Sequence, residues 1–289
     1  MNRTWKWTAS SIFLASRPVE DTPGVCLAAG FAGIEAAERH FEDRTESQLE
    51  AIGSLFRSAG LKIPTFHLPY SRRDDLAAFY ETDRLAAVDR IKDAMHRARA
   101  LGASICIQHP TTHQGSVEVE GFAPYMRQLS RSLETLLPVA ESLDLTIALE
   151  NSLPRNRGRF GSTAEHQEIF LRELRHPRLG LCLDTGHAQV AGGPAGPAGL
   201  FDAMSGRLVA FHLQDNAGDR DSHLAPGRGL VDWTGIFQRL VRMRFGGAVC
   251  IEAPPFAPGP PYSDAAWREL VERTEELAAE VLSGDRQGR

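Results

Sequence analysis

Eight short apolar runs alternate with longer amphipathic stretches along the whole 289-residue chain. The runs fall at 8–14, 33–36, 62–66, 104–108, 145–149, 180–183, 208–213 and 248–251. Each has the length of a buried β-strand, which reads as a continuous apolar segment rather than an alternating one. Between them lie helical patterns. "SQLEAIGSLFRSAG" places Leu49, Ile52, Leu55 and Phe56 on one face and closes on Gly60. "DRLAAVDRIKDAMHRARALG" does the same with Leu85, Val88, Ile91, Met95 and Ala98, closing on Gly102. "PYMRQLSRSLETLLPVAESL", with Pro138 as an expected kink, the segment after Ile236, and "WRELVERTEELAAEVL" complete the main set. Strand then helix, eight times over, is the arithmetic of an α/β fold closed into a (β/α)8 barrel. An open doubly wound sheet usually places a Gly-rich phosphate loop after its first strand, and no GxGxxG occurs there. No long linker divides the chain, so residues 1–289 read as a single domain with a frayed tail over the last few residues. The Gly/Pro-rich stretches "AGGPAGPAG" (191–199) and "APPFAPGPPYSD" (253–264) read as loops.

Composition narrows the setting. Hydrophobic residues make up 42% and charged residues 24%, ordinary for a chain with a packed core. Net charge is -5 and the arginines are scattered, so no basic field points to nucleic acid or an anionic membrane. Cys26, Cys106, Cys182 and Cys250 form no CxxC pair, and three of them sit in strand-like runs. That suits reduced, buried thiols and a cytoplasmic protein without disulfides. "SSIFLASR" is too short and polar for a secretory segment, and no run reaches the ~18 apolar residues of a membrane span.

The polar residues that close the strands carry the chemistry. Run three ends on His67, run four on His109, run five on Glu150, run six on Asp184; run seven carries His212 and run eight ends on Glu252. Asp184, in "LGLCLDTGHAQ", has a modest explanation as the cap of a following helix. Each of the others has one too, as a satisfied structural histidine or a cap partner. In a barrel, however, all C-terminal strand ends meet at one mouth, where active sites are built. Carboxylates and imidazoles packed there together would repel without a cation. Two Glu, one Asp and one His among them suit a single divalent ion: Mn²⁺, Zn²⁺ or Mg²⁺.

The ordered motifs "FHLPY", "IQHP", "ALEN", "LCLDTGHA", "FHLQDN", "DSHLAPGRGLVDW" and "IEA" resemble the xylose isomerase-like barrel superfamily over nearly the whole chain. That superfamily holds sugar (phosphate) isomerases and epimerases together with endonuclease IV-type DNA-repair enzymes. The epimerase-like members imply one metal on Glu150, Asp184, His212 and Glu252. Glu150 and Glu252 would then exchange protons with the substrate, through a metal-stabilised enediolate, and His187 would position a substrate oxygen. The endonuclease-like members imply a zinc cluster on those residues plus His67, His109, His187, Asp221 and His223, cleaving DNA at abasic sites. "HLAPGRGLVDW", and Gly186 where the repair enzymes usually carry Cys, favour the sugar enzyme, as do the acids among Glu38, Arg39, His40, Glu42 and Asp43 after run two. Tyr70 resembles a DNA-contacting tyrosine of the repair branch, or packs beside the mouth.

The expectation is a metal-dependent isomerase or epimerase of a sugar, sugar phosphate or cyclic polyol, with dehydration of a cyclic polyol as a variant. His67, His109, His223 and Asp221 would line its substrate site. It would bind no nucleic acid or membrane, and it could form a homo-oligomer. Arg155, Arg157, Arg159, Arg220 and Arg228 are candidate anion contacts or plain solvated arginines.

Overall fold

A computed structural model of the chain describes residues 5–154, 158–257 and 259–287. Eight parallel strands close into a barrel in sequence order: β1 (Trp7–Ser10), β2 (Gly33–Ala37), β3 (Lys62–His67), β4 (Ile105–Gln108), β5 (Thr146–Glu150), β6 (Leu179–Asp184), β7 (Leu208–Leu213) and β8 (Ala248–Ile251). Closure is made by β1 against β8, with Trp7 opposite Val249 and Ala9 opposite Ile251. Outside the strands lie α1 (Thr22–Ala29), α2 (Glu46–Ser58), α3 (Glu81–Leu101), α4 (Val117–Glu120), α5 (Phe122–Ser142), α6 (Ala164–Glu173), α7 (Thr185–Gly192), α8 (Gly196–Met204), α9 (Trp233–Arg242) and α10 (Asp264–Gln287). The architecture is the expected (β/α)8 barrel.

The lumen is filled, not open. Ile107, Ala148, Cys182 and Ala210, from β4 to β7, form a small buried cluster, and a much larger apolar layer joins strands to helices. All four cysteines are buried and unpaired. Among the described residues, no helix is long and apolar enough to cross a membrane.

Several local expectations are corrected. The first strand stops at Ser10, and 11–14 wind into a 3₁₀ turn; the Ser11 hydroxyl accepts the backbone N–H of Ala37 at 2.8 Å, so a side chain replaces the next rung. On α3 the buried stripe runs through Arg84, Val88, Ile91, Met95 and Ala98, while Leu85 is 46% exposed. Leu85 lies about 100° of helix turn away from that stripe. Arg84 reaches inward to the Ser132 hydroxyl at 3.1 Å and pairs with Glu81. Leu55 of α2 is likewise half-exposed. The segment 191–199, expected as a loop, is mostly helical: α7 ends there and α8 begins, with Pro197 in its first turn, where a fixed φ and a missing N–H cost nothing. Pro138 lies within α5, which is continuous from Phe122 to Ser142. Gly102 ends α3 at φ 94°, the left-handed position a side chain would strain.

Candidate metal centre

Every acid and imidazole expected at a strand end arrives at the C-terminal mouth. His67 and Asp184 are the last residues of β3 and β6, Glu150 the last of β5, and His212 the penultimate residue of β7. His109 and Glu252 follow β4 and β8 directly. One ligand atom each from Glu150, Asp184, His212 and Glu252 falls within 4.8 Å of the others, and all four residues are buried. Donors about 2.0–2.6 Å from one ion lie within such a separation of each other. His67, His109 and Glu150 form a second group of that kind.

Asp184 also fulfils the modest reading. It is the N-cap of α7, its Oδ1 accepting the His187 N–H at 2.6 Å. A carboxylate has four lone-pair sites, so the cap leaves others open. Asn151, next after Glu150, locks this corner: its Oδ1 accepts the Asp184 N–H at 2.7 Å, and its Nδ2 donates to the Asp184 carbonyl at 3.0 Å.

Ring orientations argue for a cation. His67 Nδ1 lies 2.9 Å from the Leu68 carbonyl, His187 Nδ1 2.9 Å from that of Asn151, and His223 Nδ1 2.9 Å from that of Glu252. A nitrogen against a carbonyl oxygen must carry hydrogen, so a neutral ring presents a bare Nε2 on its other side. Those Nε2 atoms face carboxylate oxygens: His67 to Glu150 Oε2 at 3.5 Å, His187 and His223 to Asp221 Oδ2 at 3.4 and 3.3 Å. His109 Nε2 lies 3.3 Å from the same Glu150 Oε2, which is buried and makes no hydrogen bond. Lone pairs facing lone pairs in a buried site call for an added proton or a metal ion. The donor set therefore fits a divalent cation.

Without a cation, the charges here are strongly shifted. Burial pushes Asp184 up to about 7, against the pull of His187. Burial opposes a charged His187, but Asp184, Asp221 and Glu150 raise it to about 10. His223, half-buried, is raised to about 9 against that partial burial, chiefly by Asp221 and Glu252. Burial would raise Glu252, but His212 and His223 hold it down at about 2; Glu150 is held well below its usual range by His109 and His212. Burial takes His109 down to about 3.

A cavity of about 310 Å³ sits over this centre, lined by Glu150, Glu252, His67, His109, His187, Asp221 and His223 together with Tyr70, Thr112, Gln114, Leu153 and Arg159. Asp184 and His212 are not among its lining residues. Tyr70 is 44% exposed and packs edge-on to His67, 5.0 Å between ring centres. Arg159 is buried and donates to the carbonyls of Thr111 and His113. Arg220 and Arg228 are exposed, and Arg155 and Arg157 lie outside the described residues. Glu38, expected among surface acids, is buried against Arg97. A larger cavity, about 620 Å³, opens at the opposite end of the barrel beside Trp5, Lys62 and Gly247. Among the described residues no carboxylate or imidazole lines it, and barrel enzymes work from the other face.

Strand-end reasoning misses two contributors. Glu35, in the middle of β2, reaches His212 Nε2 at 3.0 Å; an acid inside the apolar run "GIEAA" was its one signal. Gln214, just past β7, donates to Asp184 and, at 2.6 Å, to Asp221. Its amide fills the space where a Cβ on Gly186 would lie, only 2.1 Å from Gln214 Oε1.

A parallel barrel with this constellation at its mouth defines a class, and comparison with known proteins names it. Residues 24–277 match the sequence model of the xylose isomerase-like TIM barrel family, to which the chain belongs. It is 28% identical over 190 residues to the uncharacterized protein MJ1311 of Methanocaldococcus jannaschii, covering 64% of this chain and 62% of that protein. It is 29% identical over 193 residues to a probable endonuclease 4 of Shouchella clausii, covering 63% of each. The chain thus spans about three fifths of the length of the curated relatives it matches. Among solved structures, a D-tagatose 3-epimerase-like protein superposes with a TM-score of 0.78 at 21% identity, covering 96% of this chain and 99% of that one.

Proposed function

We propose that the chain is a divalent-metal-dependent enzyme that isomerises or epimerises a small sugar, sugar phosphate or cyclic polyol by moving a proton next to a carbonyl. One observation carries the reading. Of the four residues grouped around a metal-sized space, Glu150 and Glu252 line the cavity, while Asp184 and His212 do not. Two carboxylates facing one small cavity are what proton removal and return require. Held by these four residues, an ion of Mn²⁺, Zn²⁺ or Mg²⁺ would supply Lewis acidity at the substrate carbonyl and its neighbouring hydroxyl. Glu252 or Glu150 takes the proton, and the other carboxylate, or the same one from the same face, returns it. His187, whose Nδ1 is held by the Asn151 carbonyl, directs Nε2 towards a substrate oxygen. The cavity volume is at the small end of ligand sites, which suits a monosaccharide.

A second reading has its own observation. The His67–His109–Glu150 group and the His187–Asp221–His223 contacts flank the four-residue group and resemble the ligand sets of an endonuclease IV-type cluster. Metal count and chemistry separate the two. Elemental analysis of purified protein, then a ketose and inosose panel in D2O, should give one ion per chain and ion-dependent deuterium exchange at the carbon beside the carbonyl. Three zinc ions per chain, with nicking of abasic-site duplex and no exchange on any panel member, would establish the second reading instead.

A further inference from the structure

We propose that Glu35 is a positioning residue that sets the tautomer of His212 and thereby opens the centre to its ion. The inference rests on the metal-binding reading above, not on which reaction follows. His212 is fully buried and is contacted by carboxylates on both ring nitrogens. Its Nε2 lies 3.0 Å from Glu35 Oε2; its Nδ1 lies 2.9 Å from Glu252 Oε2 and 3.2 Å from Glu150 Oε1. A neutral imidazole has one N–H to give. Directed at Glu150 or Glu252, that hydrogen would occupy the space those carboxylates share and leave no imidazole lone pair for a cation. Directed at Glu35, it leaves Nδ1 bare towards Glu150, Glu252 and Asp184.

Glu35 is built for this one partner. It is 1% exposed, it sits mid-strand opposite Ser10 and Thr65, and its other oxygen, Oε1, is buried with no hydrogen bond. A carboxylate placed so deep, with an oxygen left unsatisfied, is costly unless it serves a neighbour. The carboxylate also lies on the side of the ring away from the cavity, where it does not touch substrate. Its action is through His212, as outer carboxylates act on metal-bound histidines generally.

The test compares the parent with Glu35→Gln and Glu35→Leu. Competition titration with Mn²⁺ alone reads affinity, and long-range ¹⁵N NMR of the Zn²⁺-loaded proteins reads the His212 ring. In the parent, Nε2 should be protonated and Nδ1 metal-shifted. Glu35→Leu should weaken Mn²⁺ binding about 10- to 100-fold and lose that ring signature. Glu35→Gln, whose carboxamide oxygen still accepts Nε2–H, should keep the signature and recover most of the affinity. Equal affinity in the parent and a folded Glu35→Leu overturns the proposal, as does a Gln variant no better than Leu. Should Glu35→Leu fail to fold, the Gln variant decides alone: a proton found on Nδ1 overturns it. A parent that binds no divalent ion removes the metal reading itself, a distinct outcome.

Discussion

On the proposed reading Glu252 would answer to two demands, as a ligand and as a base, and one substitution separates them. Glu252→Gln keeps an oxygen donor but removes the basic lone pair that takes a proton. The variant is expected to fold and retain most of its metal, and to lose roughly 10²–10⁴-fold in turnover on a substrate the parent converts. Near-parent kcat would remove Glu252 from proton transfer. At this scale the sequence is most legible where a polar residue interrupts an apolar run at its end, as Asp184 does after "LGLCL". Glu35 follows no such rule, because a mid-strand acid normally speaks against a strand at all. Only closure of the barrel gives it His212 as a partner, 177 residues away in sequence. Gln214 was hidden for another reason: an amide beside "FHL" carries no charge to mark it. Its place is visible only through Gly186, since a Cβ there would overlap it. Gly186→Ala should therefore displace Gln214 from Asp184 and Asp221, destabilising the fold by roughly 1–3 kcal/mol in denaturant titration. A neutral effect would mean that the amide relocates freely.

The loop from β7 to α9 shows how an element, not a residue, delivers side chains to the cavity. Asp215, fully buried, gathers it: one carboxylate oxygen accepts the N–H of Asn216 and Val231, the other the N–H of Gly227 and the indole Nε1–H of Trp233. The segment carrying Asp221 and His223 is thereby closed on itself. Asp215→Asn turns one acceptor into a donor facing N–H groups. With charge-assisted hydrogen bonds worth about 1.5–3 kcal/mol each, it should lower stability by about 3 kcal/mol and raise KM by loosening Asp221 and His223, without touching a cavity residue. Stability unchanged in urea would show that the loop is held by other contacts. "DSHLAPGRGLVDW" displays Asp221 and His223 in sequence, but Asp215, which holds the segment, reads only as one more polar residue of "FHLQDN". The extent of α3 was read faithfully from its long periodicity, although its buried face passes through Arg84 and not Leu85. Elements were misread where local chemistry decided: the Ser11 hydroxyl ended β1, and Pro197 began a helix inside a stretch that composition marks as loop.

At the scale of the whole molecule, the barrel gathers charges that the chain keeps far apart, and protons and metal then compete for one site. Without a cation, His187 at about 10 and His223 at about 9 hold protons at neutral pH, and Asp184 at about 7 is about half protonated. The signs follow from linkage. Raised histidines contribute stability that is fully present below their unfolded value and is lost as pH rises towards 9 and 10. Asp184, also raised, costs stability as pH rises from its unfolded value to about 7, where the unfolded chain has ionised and the folded one has not, and that cost is complete above about 7. Glu252, depressed to about 2, contributes the opposite way, its stability lost only as pH falls through the acid range. The metal-free protein should therefore be most stable at mildly acidic pH and weaken towards alkaline pH. A divalent ion on Glu150, Asp184, His212 and Glu252 needs all four deprotonated, so its binding must expel the protons held by Asp184 and by His212, which, despite burial, nearby Cys182, Glu35, Glu252 and Glu150 raise well above its usual value. While a ligand stays fully protonated, affinity should rise about tenfold per pH unit for each proton expelled, an added stabilisation of about 1.4 kcal/mol per unit in excess ion. Thermal melting with and without Mn²⁺, from about pH 6 to pH 8, should show the ion-induced shift growing with pH, and titration in weak buffer should detect protons released. A shift independent of pH, without proton release, would mean that the ion binds away from His212 and Asp184.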